Sequence, residues 1–225
     1  MLFEHQRHAV VDLCLQLSKQ GYFAATGGNL MLRLDDDVVA VTPSATDYLS
    51  MTAADICVLQ LSDLSPIEAV RTPSVESSLH ARVLRRRPDL QCSIHTHQPL
   101  ASACALLGEA IAVPAPQQAL LGRQIAMVGY APSGTRWLAN RLERAVDQHS
   151  YAWLMRNHGV LCAGIDSDTA MAAIEQLEQL AAAHLQQRIE QRLSSEQPAE
   201  AAKLTALLKD LQQEVANDRP DRNSA

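Results

Sequence analysis

The feature that most constrains the fold is an alternating apolar run near the N-terminus. Apolar residues occupy every second position of Leu30–Leu34, a cluster of three aspartates follows at Asp35–Asp37, and the alternation resumes over Val39–Val41. A period of two on both sides of a polar turn predicts a β-hairpin with one buried face. Because a hairpin joins antiparallel strands, this run argues against a purely parallel sheet.

Helices and further strands are intermixed along the rest of the chain. Helical spacing predicts a first helix over Phe3–Gln20, and Ser74 is a good N-cap for a helix that runs to about Arg86. A long helix is expected over about 168–192, and Pro198 separates it from a second one. The other expected elements are strands at Ile56–Leu59, Cys92–His97, Tyr151–Met155 and Val160–Cys162, and helices at about Pro99–Leu107 and after Arg136. This mixture predicts an α/β or α+β fold with a mixed or antiparallel sheet.

Length and composition bound the remaining possibilities. The 225 residues, 47% of them hydrophobic, fit a single domain over 1–217, with a polar and disordered tail at 218–225. The net charge of -6 and the lack of a basic tract beyond Arg85–Arg87 argue against a nucleic-acid partner. The five scattered cysteines suit a reducing compartment, no signal-peptide pattern is recognised, and the longest apolar tract, Leu100–Pro116, is too short to cross a bilayer. We therefore expect a cytoplasmic protein without a membrane partner.

Three histidines predict a metal site. His95 and His97 are two residues apart in a predicted strand, so both imidazoles point to the same face. This spacing is a weak signal by itself, but His158 lies between two predicted strands and is followed by Gly159, which allows a close backbone approach. Three neutral imidazoles would leave one position on a zinc ion open for water or substrate, as in catalytic zinc sites.

Glu76 is the candidate general acid/base, although a carboxylate in a first helical turn also has a purely structural explanation. His80, one turn later, could orient that carboxylate or simply pack, and packing is the favoured interpretation. Two polar segments, Thr26–Asn29 and Thr42–Ser44, together with Ser74, offer hydroxyls, an amide and glycine N–H groups. Such groups suit a phosphate or another oxyanion.

The order of these motifs resembles the class II aldolase and adducin family, in particular its fuculose phosphate aldolase branch. The resemblance covers about Phe3 to Gln187. It rests on Gly-Gly-Asn, Thr-Pro-Ser, Pro-Ser-x-Glu-x-x-x-His, His-Thr-His, Tyr-Ala-x-x-Gly-Thr-Arg and Asn-His-Gly, in that order. The resemblance implies an α/β/α sandwich around a largely antiparallel sheet, assembled as a cyclic homotetramer with active sites between subunits.

The resemblance also implies a role for each candidate residue. One zinc ion per chain would be held by His95, His97 and His158, with Glu76 as the acid/base and Tyr130 acting across the subunit interface. The phosphate cradle would consist of Gly28, Asn29, Thr42, Ser44 and Ser74.

The implied reaction is cleavage of a small phosphorylated ketose through a zinc-stabilised enediolate. Decarboxylation, dehydration or epimerisation of a related sugar or sugar-acid phosphate could use the same site. Met31 and Val75 stand where serines are common in this family, which weakens the phosphate cradle, and Gln117–Leu120 lacks a glutamate-centred dehydratase pattern. A zinc hydrolase and a non-catalytic adducin-like assembly module are the alternatives from other classes. Gln98–Leu100 argues against the hydrolase, and the complete histidine and glutamate set argues against the module.

Overall fold

The computed structural model of the chain describes residues 1–23, 27–194 and 198–217. Thr26 and the predicted tail 218–225 lie outside these ranges. The strands are β1 Asn29–Asp35, β2 Val38–Val41, β3 Cys57–Gln60, β4 Pro66–Glu68, β5 Cys92–Thr96, β6 Ile111–Ala112, β7 Gln124–Val128, β8 Ala152–Met155 and β9 Gly159–Gly164. The helices are α1 Glu4–Lys19, α2 Ser77–Arg86, α3 Pro99–Leu107, α4 Gln118–Leu121, α5 Arg136–Ala145, α6 Ser167–Leu193 and α7 Pro198–Asn217, with short 3-10 turns at Ala53–Asp55 and Ala115–Gln117.

All nine described strands form one sheet in the order β4-β3-β2-β1-β5-β9-β8-β7-β6. Within the described ranges β7 and β8 are the one parallel pair, and the other neighbours are antiparallel. The predicted hairpin is confirmed as β1 and β2, in which Met31 pairs with Val41. The mixed, largely antiparallel sheet expected from the sequence is therefore confirmed.

Helices cover both faces of the sheet, and the side-chain alternation of the central strands divides the core in two. Leu30 and Ile94 point to one face, where they pack with residues of α1, α3 and α6. Met31 and Leu161 point to the other face, where they pack with residues of α2 and α5. The hairpin thus has two covered faces at the start of β1 rather than the single buried face predicted, because helices lie on both sides. The result is the three-layer α/β/α sandwich.

The start of α2 differs from the prediction, and the difference affects the site. The helix begins at Ser77, and Glu76 rather than Ser74 occupies the N-cap position. The Ser74 hydroxyl accepts a hydrogen bond from the Glu76 N–H at 3.2 Å, and the Ser74 carbonyl accepts one from the Ser77 N–H at 3.0 Å. This turn places Glu76 at the N-terminal end of α2 instead of within its first turn.

Within the described residues, no helix is long and apolar enough to cross a membrane.

Candidate active site

The three histidines converge at one end of the central strands. His95 is the fourth residue of β5, His97 follows directly after that strand, and His158 lies in the turn between β8 and β9. One ring nitrogen of each histidine lies within 4.8 Å of the others, and the Nε2 atoms of His95 and His97 are 3.0 Å apart. The structure thus brings together the three nitrogens that the spacing predicted.

Gly159 permits this convergence. A Cβ atom at that position would lie 2.5 Å from the carbonyl oxygen of Thr96 and 2.6 Å from Cδ2 of His97. Asn157, two residues earlier, adopts the left-handed conformation with a φ of 55°, and the His158 N–H donates to the Met155 carbonyl at 3.0 Å. The turn therefore presses against the end of β5, which leaves room only for hydrogen at residue 159.

The three imidazoles have the chemistry of metal ligands. Nδ1 of His95 lies 2.7 Å from the carbonyl oxygen of Val160, which can only accept, so Nδ1 carries the proton and Nε2 presents its lone pair to the cluster. Burial lowers the pKa of His95 to about 3 and also lowers the pKa of His97. A neutral imidazole with an outer hydrogen bond to a backbone carbonyl, as in His95, is the arrangement that zinc and similar divalent ions use. The cluster fits such an ion.

Glu76 lies directly beside the cluster and is buried. Its Oε2 is 3.3 Å from Nε2 of His95, and its Oε1 is 3.1 Å from Nε2 of His158. Burial raises the pKa of Glu76, but the hydrogen bonds with His158, Asn29 and Ser133 outweigh it and hold the pKa well below the ordinary value. An ionised carboxylate beside three imidazoles can serve as a base, and it can also contribute an oxygen ligand.

Two side chains hold the carboxylate from opposite sides. The Asn29 amide donates to Oε2 at 2.9 Å, and the Ser133 hydroxyl donates to Oε1 at 2.7 Å. Ser133 was not among the predicted site residues, because its contact depends on how the loop after β7 folds back over α2. Asn29 was predicted as a phosphate ligand, and in the structure its amide is bound to Glu76 on the one side and to His80 on the other.

The segment Thr42–Ser44, predicted to hold phosphate, is joined to the segment that carries Ser74. Pro43 and Pro73 form an isolated antiparallel bridge, and the N–H of Ser74 donates to the carbonyl of Thr42 at 3.0 Å. The Thr42 hydroxyl is fully buried and accepts from the N–H of Leu30 at 3.2 Å, whereas Ser44 is partly exposed. The segments thus meet next to Glu76, with Ser44 more open to solvent than Thr42.

Gly28, the remaining member of the predicted cradle, has a φ of 88° and lies against an aromatic ring. A Cβ atom there would be 2.4 Å from a ring carbon of Phe23 and 3.0 Å from the carbonyl oxygen of His95. The Tyr48 hydroxyl donates to the carbonyl oxygen of Gly28. This glycine therefore fixes the approach of the loop to the end of β5.

The two positions that depart from the family pattern lie in different surroundings. Met31 is fully buried and packs in the core between the sheet and α2, so it does not line an open cleft as the sequence suggested. Val75 is 65% exposed and lies beside Gly134, where a Cβ atom would be 3.5 Å from the valine side chain. Of the two, Val75 alone is placed to touch a substrate that approaches Glu76.

Tyr130 lies at the surface of the single chain. It is 55% exposed, on the loop that also carries Ser133. With Trp137, Arg141 and Arg144 it lines a surface groove of about 470 Å³. An exposed phenol in such a groove is compatible with the predicted contact across a subunit interface.

A buried carboxylate next to three convergent imidazoles, at one end of the central strands between two helical layers, defines the class: an α/β/α fold whose histidine cluster fits a metal ion. The family model described as the class II aldolase and adducin N-terminal domain matches residues 8–185. The chain belongs to this family, and it is an enzyme of the class II aldolase superfamily.

Several curated proteins resemble the chain. A 5-deoxy-D-ribulose 1-phosphate aldolase of Bacillus thuringiensis serovar kurstaki is 29% identical over 180 residues, which cover 79% of this chain and 83% of the relative. A methylthioribulose-1-phosphate dehydratase of Yersinia enterocolitica is 29% identical over 196 residues, covering 82% and 93%. Among solved structures, an L-fuculose 1-phosphate aldolase superposes with a TM-score of 0.74 at 24% identity, covering 90% of this chain and 95% of that one. The structural likeness supports the fold, and the curated relatives include both aldolases and dehydratases.

Proposed function

We propose that this protein is a zinc-dependent lyase that cleaves a carbon–carbon bond in a small phosphorylated ketose. The observation that carries the proposal is the ionised Glu76 carboxylate, held within 3.3 Å of Nε2 of His95 and 3.1 Å of Nε2 of His158. The relatives named as sugar-phosphate aldolases support the substrate class.

His95, His97 and His158 would hold one zinc ion per chain. The ion, when bound, would supply Lewis-acid stabilisation of negative charge on the carbonyl oxygen of the substrate. Glu76 would take the proton from the carbon next to that carbonyl in the synthesis direction, and by reversibility return it after cleavage. The group is ionised before substrate arrives, because its pKa lies below the ordinary value.

Tyr130 of a neighbouring chain would exchange the proton of the departing aldehyde oxygen in a homotetramer. This part of the proposal rests on the exposure of Tyr130 and on the loop it shares with Ser133. Gly28, Asn29, Thr42, Ser44 and Ser74 would form the phosphate end of the site. The five buried, unpaired cysteines are in keeping with a cytoplasmic location.

Dehydration is the second candidate reaction, and one observation favours it. The methylthioribulose-1-phosphate dehydratase relative is as similar in identity as the first aldolase relative and is covered over 93% of its length. Removal of a proton next to a carbonyl begins dehydration and also begins aldol addition, the reverse of the cleavage, so Glu76 would serve either reaction. Decarboxylation and epimerisation use the same site chemistry, whereas a purely structural adducin-like module would have no need of an ionised Glu76 beside three histidines.

A substrate panel separates these reactions. Ketose 1-phosphates and 3-oxo acid phosphates are incubated with zinc-loaded protein while aldehyde, carbon dioxide and dehydrated ketone are measured in parallel. We expect aldehyde from a ketose 1-phosphate, with a higher KM for the same ketose without phosphate. Dehydrated ketone without aldehyde would replace the aldolase proposal by the dehydratase, and inertness towards the whole panel would count against the substrate class.

A further inference from the structure

A chain of three buried polar side chains lies behind the candidate acid/base. His80, on α2, is fully buried and places Nδ1 2.8 Å from the Ser93 hydroxyl and Nε2 2.6 Å from Oδ1 of Asn29. The Asn29 amide nitrogen in turn lies 2.9 Å from Oε2 of Glu76. Ser93 and Asn29 share the sheet face that α2 covers, because Asn29 pairs with His95 and Met31 pairs with Ser93 across β1 and β5.

The chemistry of the groups fixes the direction of every bond in this chain. An ionised carboxylate can only accept, so the Asn29 group next to Glu76 is its NH2 and the group next to His80 is its carbonyl oxygen. That oxygen also only accepts, and Nε2 of His80 therefore carries the proton. Nδ1 is then left as an acceptor for the Ser93 O–H. Burial lowers the pKa of His80 to about 4, in keeping with a neutral ring that has a single proton.

We infer that His80 is a positioning residue, which fixes the Asn29 amide so that its NH2 group points at Oε2 of Glu76. Without the Nε2–H donor, only the contact with the Glu76 carboxylate would distinguish the two ends of the Asn29 amide. A flipped amide would set its oxygen against the carboxylate, and two acceptors in contact repel each other. His80 thus acts on Glu76 through Asn29, and Ser93 selects the required tautomer of His80.

The arrangement also gives the two carboxylate oxygens different surroundings. Oε2 is bound by Asn29, which is itself held from behind by His80. Oε1 accepts from Ser133, an exposed residue whose hydroxyl can turn away. The side of the carboxylate that Asn29 binds is therefore the fixed one. Oε1, which lies next to the exposed Ser133 and 3.1 Å from Nε2 of His158, would exchange the proton with substrate.

This inference rests on the proposed function, because it gives His80 a role in positioning Glu76 for catalysis. It differs from a packing role in one measurable respect. If His80 only filled space, an apolar residue of similar size would serve and any loss would appear in stability alone. If His80 supplies a donor, the loss would appear in kcat and another donor would restore it.

The first experiment compares His80→Leu with His80→Gln, whose amide NH2 reaches the place of Nε2 and can donate to Asn29. We expect His80→Leu to keep its zinc and to lower kcat by about 10- to 100-fold with KM nearly unchanged, as for lost outer hydrogen bonds in other sites. His80→Gln is expected to recover most of that loss. Arg87→Met is the matched control, since Arg87 is buried and holds the carbonyls of Asp147 and Ser150 without contacting the site. The melting temperature of Arg87→Met should fall, and its kcat should equal that of the parent.

Two results would overturn the inference: a kcat for zinc-loaded His80→Leu within about twofold of the parent, or a His80→Gln variant no better than His80→Leu.

A second measurement does not depend on turnover. Nitrogen-15 shifts of the histidine rings at pH 7.5 should show His80 with the proton on Nε2 and a bare Nδ1, and Ser93→Ala should weaken that preference. A proton on Nδ1 would refute the bonding chain even in an active enzyme. An inactive parent protein with the expected tautomer would instead count against the proposed function alone.

Discussion

Substitution of Gly159 by alanine tests the link between the close approach of β9 to β5 and the metal cluster. The added Cβ would lie 2.5 Å from the Thr96 carbonyl oxygen and 2.6 Å from Cδ2 of His97. Ordinary contact begins near 3.4 Å, so the His97 ring would have to withdraw by about 0.8 Å. The carbonyl of Thr96 belongs to β5 and can retreat only together with its strand.

The substitution should lower both the stability of the fold and the affinity for metal, and each loss has an expected size. Overpacking of this kind costs about 1–3 kcal/mol of unfolding free energy. Functional groups need to be held within roughly 0.5 Å of their working geometry, and a displaced ligand should weaken metal binding by about 10- to 100-fold. The zinc affinity is measured by competition with a chromophoric chelator, alongside urea unfolding of the metal-free protein.

Gly21→Ala is the matched control for the stability loss. Gly21 has a φ of 76°, so alanine is strained there, yet no atom lies within 4 Å of its added Cβ. This variant should lose about 1 kcal/mol of unfolding free energy without any change in zinc affinity. If Gly159→Ala bound zinc as tightly as the parent, this would refute the claim that His97 is a metal ligand whose position depends on the close approach of residue 159.

Two further predictions concern pH and metal removal. The pKa of His80 is about 4 in the folded chain and near 6.5 when unfolded, so the unfolded state gains a proton first as pH falls. The stability linked to this buried neutral ring is complete above about pH 6.5 and is lost towards pH 4, by about 3 kcal/mol. Urea unfolding of the metal-free protein across this range should show the loss, and a slope no smaller in His80→Leu would contradict it. Chelator treatment should abolish turnover while far-UV circular dichroism stays unchanged, because β5 and β9 are held by cores on both faces of the sheet. Unfolding on chelation, or activity that zinc does not restore, would oppose that prediction.

The sequence predicted those parts of the site that depend on local periodicity. His95 and His97 share a strand face, and His158 precedes a glycine in a turn, so their convergence needed only the assumption that β5 and β9 are neighbours. Ser93 could have been found by the same alternation, two residues before His95. It was not singled out because a serine in a buried strand has no distinctive pattern.

Other features depend on long-range contacts that no local pattern records. The Ser133 hydroxyl reaches Glu76 across 57 residues, and the amide of Asn29 reaches it across 47. The start of α2 was predicted at Ser74, because a serine is a good N-cap, but the turn that binds Glu76 N–H to the Ser74 hydroxyl delays the helix. Met31 was expected near the substrate, and its burial under α2 follows from the strand register.

The most direct test of the central claim is the turnover and zinc content of Glu76→Gln, measured on the same sample. Glutamine keeps the size of the side chain but cannot take a proton, so the variant should retain one zinc per chain and lose about 10²- to 10⁴-fold in kcat. Ser133→Ala, which removes a single neutral donor to Oε1, should lose only about tenfold or less. Turnover by zinc-loaded Glu76→Gln at the rate of the parent would show that another group is the acid/base and would contradict the account.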